Sequence, residues 1–156
     1  MKKPVLALIV LLVATLAQAQ SATTLTPKQT IEPADLVKLL TTARPLVLNV
    51  GPRTLYTQAH IPGAEYIGMT TDPEVVKALR TRVRQLAKTR FIVLYCGCCP
   101  WDKCPNVGPA YSLLRGLGFA NIKVLHIAQN FGEDWVSKGL PVQKGEPAPP
   151  APASAQ

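Results

Sequence analysis

The sequence predicts a single α/β domain: a small parallel sheet of about five strands with helices on both faces. Three observations predict it. Leu46–Val50, apolar apart from Asn49, and Phe91–Tyr95 are short apolar runs, as expected of strands covered on both sides. Segments of helical spacing alternate with them, which is the pattern of parallel sheets. The chain has 156 residues, a length suited to one domain.

The elements follow in order. Thr30 to Leu40 carries Glu32-Pro33, with proline suited to the first helical position, and Leu36, Leu39 and Leu40 recur at helical spacing. Pro45 ends that pattern, and Leu46–Val50 is the first clear strand. Gly51-Pro52 turns the chain, Thr54 to Ala59 forms a short helical turn, Ile61-Pro62-Gly63 is a tight turn, and Glu65 to Ile67 is a short strand. Asp72-Pro73 opens a helix with an acidic N-cap, and Val75, Val76, Leu79, Val83 and Leu86 keep one apolar face for about four turns. Phe91–Tyr95 is the second buried strand. A helix starts near Asn106, runs through Tyr111, Leu113, Leu114 and Leu117, and ends at Gly118. Ile122–Ile127 is the last strand. Phe131 to Ser137 is a short helix, capped by Gly139 and stopped by Pro141.

The two ends read differently from the domain between them, residues 26–144. Lys2 and Lys3, the apolar run Pro4–Leu16 and Ala17-Gln18-Ala19 have the layout of a signal peptide over residues 1–19, with cleavage expected after Ala19 to leave Gln20 first. The run is short for a span, which needs about 20 apolar residues, and no cysteine follows it to carry a lipid. Export to the periplasm or outside the cell is therefore expected, with no stable membrane anchor after cleavage. Residues 145–156, GEPAPPAPASAQ, have no bulky apolar side chain to offset ordering entropy, and read as a disordered Pro/Ala-rich tail. The net charge of +8 becomes +6 without Lys2 and Lys3. Lys77, Arg80, Arg82, Arg84, Lys88 and Arg90 form a basic stripe; in an exported protein it reads as a solvated helix face rather than a nucleic-acid site, and its field can attract small anions.

All four cysteines fall in the nine positions Cys96–Cys104 of the segment YCGCCPWDKCPN. Three chemistries compete. Cys96 ends a buried strand ahead of a helix N-terminus, the edge where open α/β sheets bind ligands; backbone N–H groups and the helix dipole there favour a thiolate nucleophile. Export favours disulfides, with three pairings open; Cys98–Cys99 is the poorest, because neighbouring Cα atoms lie about 3.8 Å apart, below the usual bridge range. Cys96–Cys99 is a C-x-x-C pair with redox potential. Four thiols also suit a soft ion such as Cu(I) or Zn, although the spacing is crowded beside the two separated pairs of structural zinc sites.

Three segments resemble the rhodanese-like domain family of thiosulfate sulfurtransferases: AHIPGAEYIG at Ala59–Gly68, VLYC at Val93–Cys96, and LLRGLGFANIKVLHIAQNFGEDWVSKGLPV at Leu113–Val142. The resemblance implies sulfane-sulfur transfer through a persulfide on Cys96, from a small anionic donor such as thiosulfate to a thiol or cyanide. It places the backbone of Gly97, Cys98, Cys99, Pro100, Trp101 and Asp102 around the substrate. Cys98, Cys99 and Cys104 become candidate redox or resolving thiols. No cofactor, metal or nucleic acid is implied.

The sequence also departs from the family. The first strand commonly ends Asp-x-Arg there, and here it ends Asn49-Val50-Gly51, with Arg53 nearby. The cysteine loop is longer and richer in cysteine and proline. Asp102 stands where phosphatase relatives carry an arginine, and a carboxylate there repels phosphate. His60 reads as a turn-fixing residue, His126 as structural, Trp135 as core, and Trp101 as a shield or packing residue over the loop.

Overall fold

The computed structural model describes residues 25–146, so the expected signal peptide and all of the expected tail beyond Glu146 lie outside the described residues. After a 3-10 turn at Pro27–Gln29 come β1 (Thr30–Ile31), α1 (Pro33–Thr42), β2 (Leu46–Asn49), α2 (Arg53–Gln58), β3 (Glu65–Tyr66), α3 (Pro73–Val83), β4 (Ile92–Tyr95), α4 (Val107–Gly116) and β5 (Ile122–Leu125). The sheet has five strands in the order β1-β5-β4-β2-β3. Every pairing is parallel, with Leu46 beside Ile92 and Ile92 beside Ile122. The expected α/β architecture is the one observed.

Strand alternation sorts the core into two layers. Leu46, Leu48, Ile92, Leu94 and Cys96 face one side, against Leu79 and Val83 of α3 and Val107, Ala110, Tyr111 and Leu114 of α4. Val47, Val93 and Tyr95 face the other, against Leu36 of α1, Tyr56 of α2, Phe131 and Trp135. Leu48, Ile92, Val93, Leu94 and Trp135 have no exposed surface, so the central strands are covered on both faces as their unbroken apolar runs require.

Three elements differ from expectation. Thr30 and Ile31, expected to lead into a helix, instead pair with Val124 and Leu125 as the edge strand β1; Pro33 then starts α1. The apolar period through Leu86 outlasts its helix: α3 stops at Val83, and Leu86 closes a turn by donating to the Val83 carbonyl at 3.1 Å while still packing on the core. The closing helix is a single π turn, Gly132–Val136, with the Ser137 N–H on the Gly132 carbonyl at 2.8 Å. Trp135 on that turn is fully buried, and its indole N–H donates to the Pro141 carbonyl at 2.8 Å.

The basic stripe is not one solvated face. Arg82 turns inward and grips both carboxylate oxygens of Glu65 at 2.7 Å, tying α3 to the edge strand β3. Lys88 lies over the Phe119 ring, 4.3 Å from its centroid. Lys77, Arg80 and Arg84 remain exposed. At the other end, Gly145 donates to the Thr57 carbonyl at 3.0 Å and Glu146 pairs with Arg53, so the first two residues expected in the tail are bonded to α2. Among the described residues, no helix is long and apolar enough to cross a membrane.

Candidate active site

β4 delivers Cys96 to the carboxyl edge of the sheet, where it is 3 % exposed. The neighbouring strand holds it there. The Val50 N–H donates to the Tyr95 carbonyl at 2.8 Å, carrying the β2–β4 ladder one residue past the strands. Asn49 is buried; its side-chain oxygen accepts from the Gly51 N–H at 3.0 Å, and its amide lies 3.5 Å from the Cys96 carbonyl. A Cβ at Gly51 would stand 2.1 Å from that carbonyl oxygen and 3.3 Å from the Cys96 sulfur. The glycine where the family commonly has arginine is therefore dictated by the approach of the Cys96 backbone. Arg53 does not replace that arginine, because its guanidinium is engaged with Glu146.

The chain then leaves the strand through Gly97, whose φ of +90° glycine adopts without penalty and whose bare Cα faces Phe131. The loop folds back on itself and gathers the thiols. The sulfurs of Cys96 and Cys98 are 3.2 Å apart, those of Cys98 and Cys99 3.1 Å, and all four lie within 4.8 Å of one another. All four are free thiols, with Cys96 and Cys104 buried, Cys99 half-buried and Cys98 exposed.

Burial acts on these sulfurs together with their neighbours. The Cys96 thiol beside it, and the backbone N–H groups of Asn106 and Val107, draw Cys104 down to about 6. The adjacent Cys104 and burial push Cys96 up, against one helping N–H from Cys98. Burial, first, and the neighbouring thiols push Cys99 up as well. The backbone N–H groups at the start of α4, expected to lower Cys96, thus lower Cys104 instead.

Asn106, just ahead of α4, links the parts. Its amide is directed at the Cys96 sulfur at 3.8 Å, its side-chain oxygen accepts from the Thr71 N–H at 3.2 Å, and its carbonyl accepts from the Thr70 hydroxyl. The sequence marks this asparagine only as a helix start; its contact to Cys96 depends on a loop path that spacing does not reveal.

The remaining candidates divide. Gly97 and Cys98 line an open groove of about 440 Å³ with Leu55, Phe131 and Val136. Pro100 has no N–H, and the Trp101 N–H is donated to the Ile127 carbonyl at 2.9 Å, so neither offers a donor to a substrate on Cys96. Trp101 packs half-buried on the α3/α4 layer, edge-on to His126. Asp102 is exposed. His60 is buried, stacked on Tyr56 with ring centroids 3.8 Å apart and with Nδ1 2.8 Å from the Tyr56 carbonyl, a structural role. His126 pairs with Glu32 at 2.6 Å.

Fold and site together define a small doubly wound α/β domain with a cysteine loop at the carboxyl edge of its sheet. The chain belongs to the rhodanese-like domain family, whose model matches residues 32–127. Its scaffold is thus sulfurtransferase-like. Solved structures share the fold at low identity. EanB in complex with hercynine superposes with a TM-score of 0.57 at 22 % identity, over 74 % of this chain and 27 % of EanB. BH2092 from Bacillus halodurans superposes at 0.56 and 22 % identity, over 74 % of this chain and 76 % of that one. The rhodanese-like domain of Alr3790 from Anabaena sp. superposes at 0.52 and 24 % identity, over 74 % and 79 %. This chain therefore spans about a quarter of EanB. No curated protein matches it.

Proposed function

We propose that the protein is an exported sulfurtransferase that carries sulfane sulfur on Cys96. The observation that carries this reading is the position of Cys96: a buried thiol at the carboxyl end of the central strand of a rhodanese-like fold, with a second buried thiol, Cys104, beside it.

The reaction has two steps. As the Cys96 sulfur attacks the outer sulfur of thiosulfate, its proton passes to the Cys104 thiolate. The S–S bond of the donor breaks, sulfite leaves with the electron pair, and Cys96 holds a persulfide. An acceptor thiolate, or cyanide, then attacks the outer sulfur of that persulfide. The sulfur departs on the acceptor, and the electron pair returns to Cys96. The Asn106 amide, directed at the Cys96 sulfur at 3.8 Å, is a donor to it during both steps. The groove at Gly97 and Cys98 supplies an approach for the acceptor.

The test is sulfur transfer from thiosulfate to cyanide by reduced protein. Cys96→Ser is expected to lower it to background, since a hydroxyl near neutral pH is a far weaker nucleophile. Full activity in that variant, or none in the wild type with any sulfane donor, overturns the reading. Export carries its own check: protein recovered from the exported fraction should begin at Gln20 by intact mass, and retention of Met1 there counts against it.

A further inference from the structure

The sulfur cluster exceeds what sulfur transfer requires. Transfer needs one nucleophile and one proton acceptor, and here four sulfurs converge within 4.8 Å of one another. A tetrahedral site with metal–sulfur bonds of about 2.3 Å has sulfur–sulfur edges of about 3.8 Å. The separations of 3.2 Å and 3.1 Å lie below that edge, and the upper limit of 4.8 Å lies above it. The observed separations thus bracket the edge length of a single four-sulfur centre. We propose that Cys96, Cys98, Cys99 and Cys104 form a mononuclear all-thiolate site for a thiophilic d10 cation, Cu(I) or Zn(II).

Three further features fit this ligand chemistry. The cluster contains sulfur only, with no carboxylate or imidazole, which selects soft ions over magnesium, calcium or manganese. One outer donor is already placed: the Asn106 amide points at the Cys96 sulfur at 3.8 Å, as donors that orient metal thiolates do. Burial is graded, with Cys96 and Cys104 inside and Cys98 at the surface, so an ion enters past Cys98 and is enclosed from behind. Each thiol that binds releases its proton to solvent, and no oxidant or reductant is needed. Because Cys96 would be a ligand, the metal and the persulfide exclude each other. The site stands independently of sulfur transfer, and its test contains no sulfur donor.

Fully reduced whole protein is incubated without oxygen with Zn(II), and separately with Cu(I), then challenged with a competing chelator. One ion per chain should be retained in at least one arm, and X-ray absorption should show a sulfur-only shell. The arm that retains its ion identifies the cation. Cys98→Ser, at an exposed position that leaves the core intact, should weaken retention at least tenfold, and Cys99→Ser should do likewise. The proposal is overturned if neither ion is held stoichiometrically, if the shell contains nitrogen or oxygen from other side chains, or if both variants bind as the wild type does.

Discussion

Two connections leave the carboxyl edge of the sheet side by side, and they solve opposite problems. Between β2 and α2 only Val50, Gly51 and Pro52 intervene, and every contact serves position: Val50 extends the ladder, Asn49 ties down Gly51, and Gly51 makes room for the Cys96 carbonyl. Between β4 and α4 the chain takes the eleven residues from Cys96 to Asn106, and the contacts serve chemistry: four thiols converge, and a helix N-terminus faces one of them. The contacts of the short connection set the position from which the long one starts. In the family's common pattern the β2 end supplies charged side chains. Here that end is Asn49-Val50-Gly51, and the group lowered by its surroundings beside Cys96 is Cys104 within the loop.

The sharpest way to break the short connection is Gly51→Ala. Its Cβ meets backbone rather than a flexible side chain, so the Cys96 carbonyl has to move, at a cost of about 3 kcal/mol. Thermal melting should fall by about 10 °C, and sulfur transfer should fall in protein held well below its melting point. Gly116→Ala is the control: beyond its own helix and its chain neighbours nothing lies within 4 Å of a Cβ there, and alanine in a helix gains about 0.5–1 kcal/mol over glycine. An equal loss in both variants would remove the special standing of Gly51.

The long connection is broken at its charge. Cys104→Ser leaves the Cys96 nucleophile without its proton acceptor, and transfer at pH 7 should slow by about 10²-fold. In metal-free wild type, Cys104 is charged above about pH 6 and neutral below it, so the rate should fall as pH drops through about 6. That acid limb should vanish in Cys104→Ser. Persistence of the limb assigns the titration to another group.

The smallest expected effect lies at the joint between the two connections. Asn106→Ala removes the donor to the Cys96 sulfur and leaves the Thr71 N–H without its acceptor, at about 1–3 kcal/mol of stability. Urea titration reads that loss. Transfer assayed on the fully folded variant should also fall, because the persulfide loses a donor.

Much of this arrangement was legible in the sequence, for identifiable reasons. The central strands declare themselves because burial on both faces forces unbroken apolar runs, as in Leu46–Leu48 and Ile92–Leu94. Pro33 and Asp72-Pro73 mark their helices because proline at a first turn loses no hydrogen bond; the Asp72 carboxylate accepts from the Glu74 N–H at 2.8 Å. β1 was hidden because two residues at a sheet edge carry no period, and its pairing with Val124 and Leu125 spans almost the whole domain. Cys96 was readable as the residue ending a buried strand. The partners of that sulfur were not, since the fold-back that brings Cys104 beside Cys96 is set by tertiary contacts such as the Trp101 N–H on Ile127. For the same reason, the crowded spacing of the cysteines does not report where the loop points their sulfurs, which lie within 4.8 Å of one another.

Sulfur transfer as proposed passes through Cys96, and one labelling experiment addresses that step. Reduced, metal-free protein is mixed with thiosulfate labelled at its outer sulfur, without acceptor, and peptides are mapped by mass spectrometry. The label should appear as a single persulfide on Cys96 and leave when a thiol acceptor is added. Label on Cys98, Cys99 or Cys104 in its place, or no label on any thiol, would contradict it.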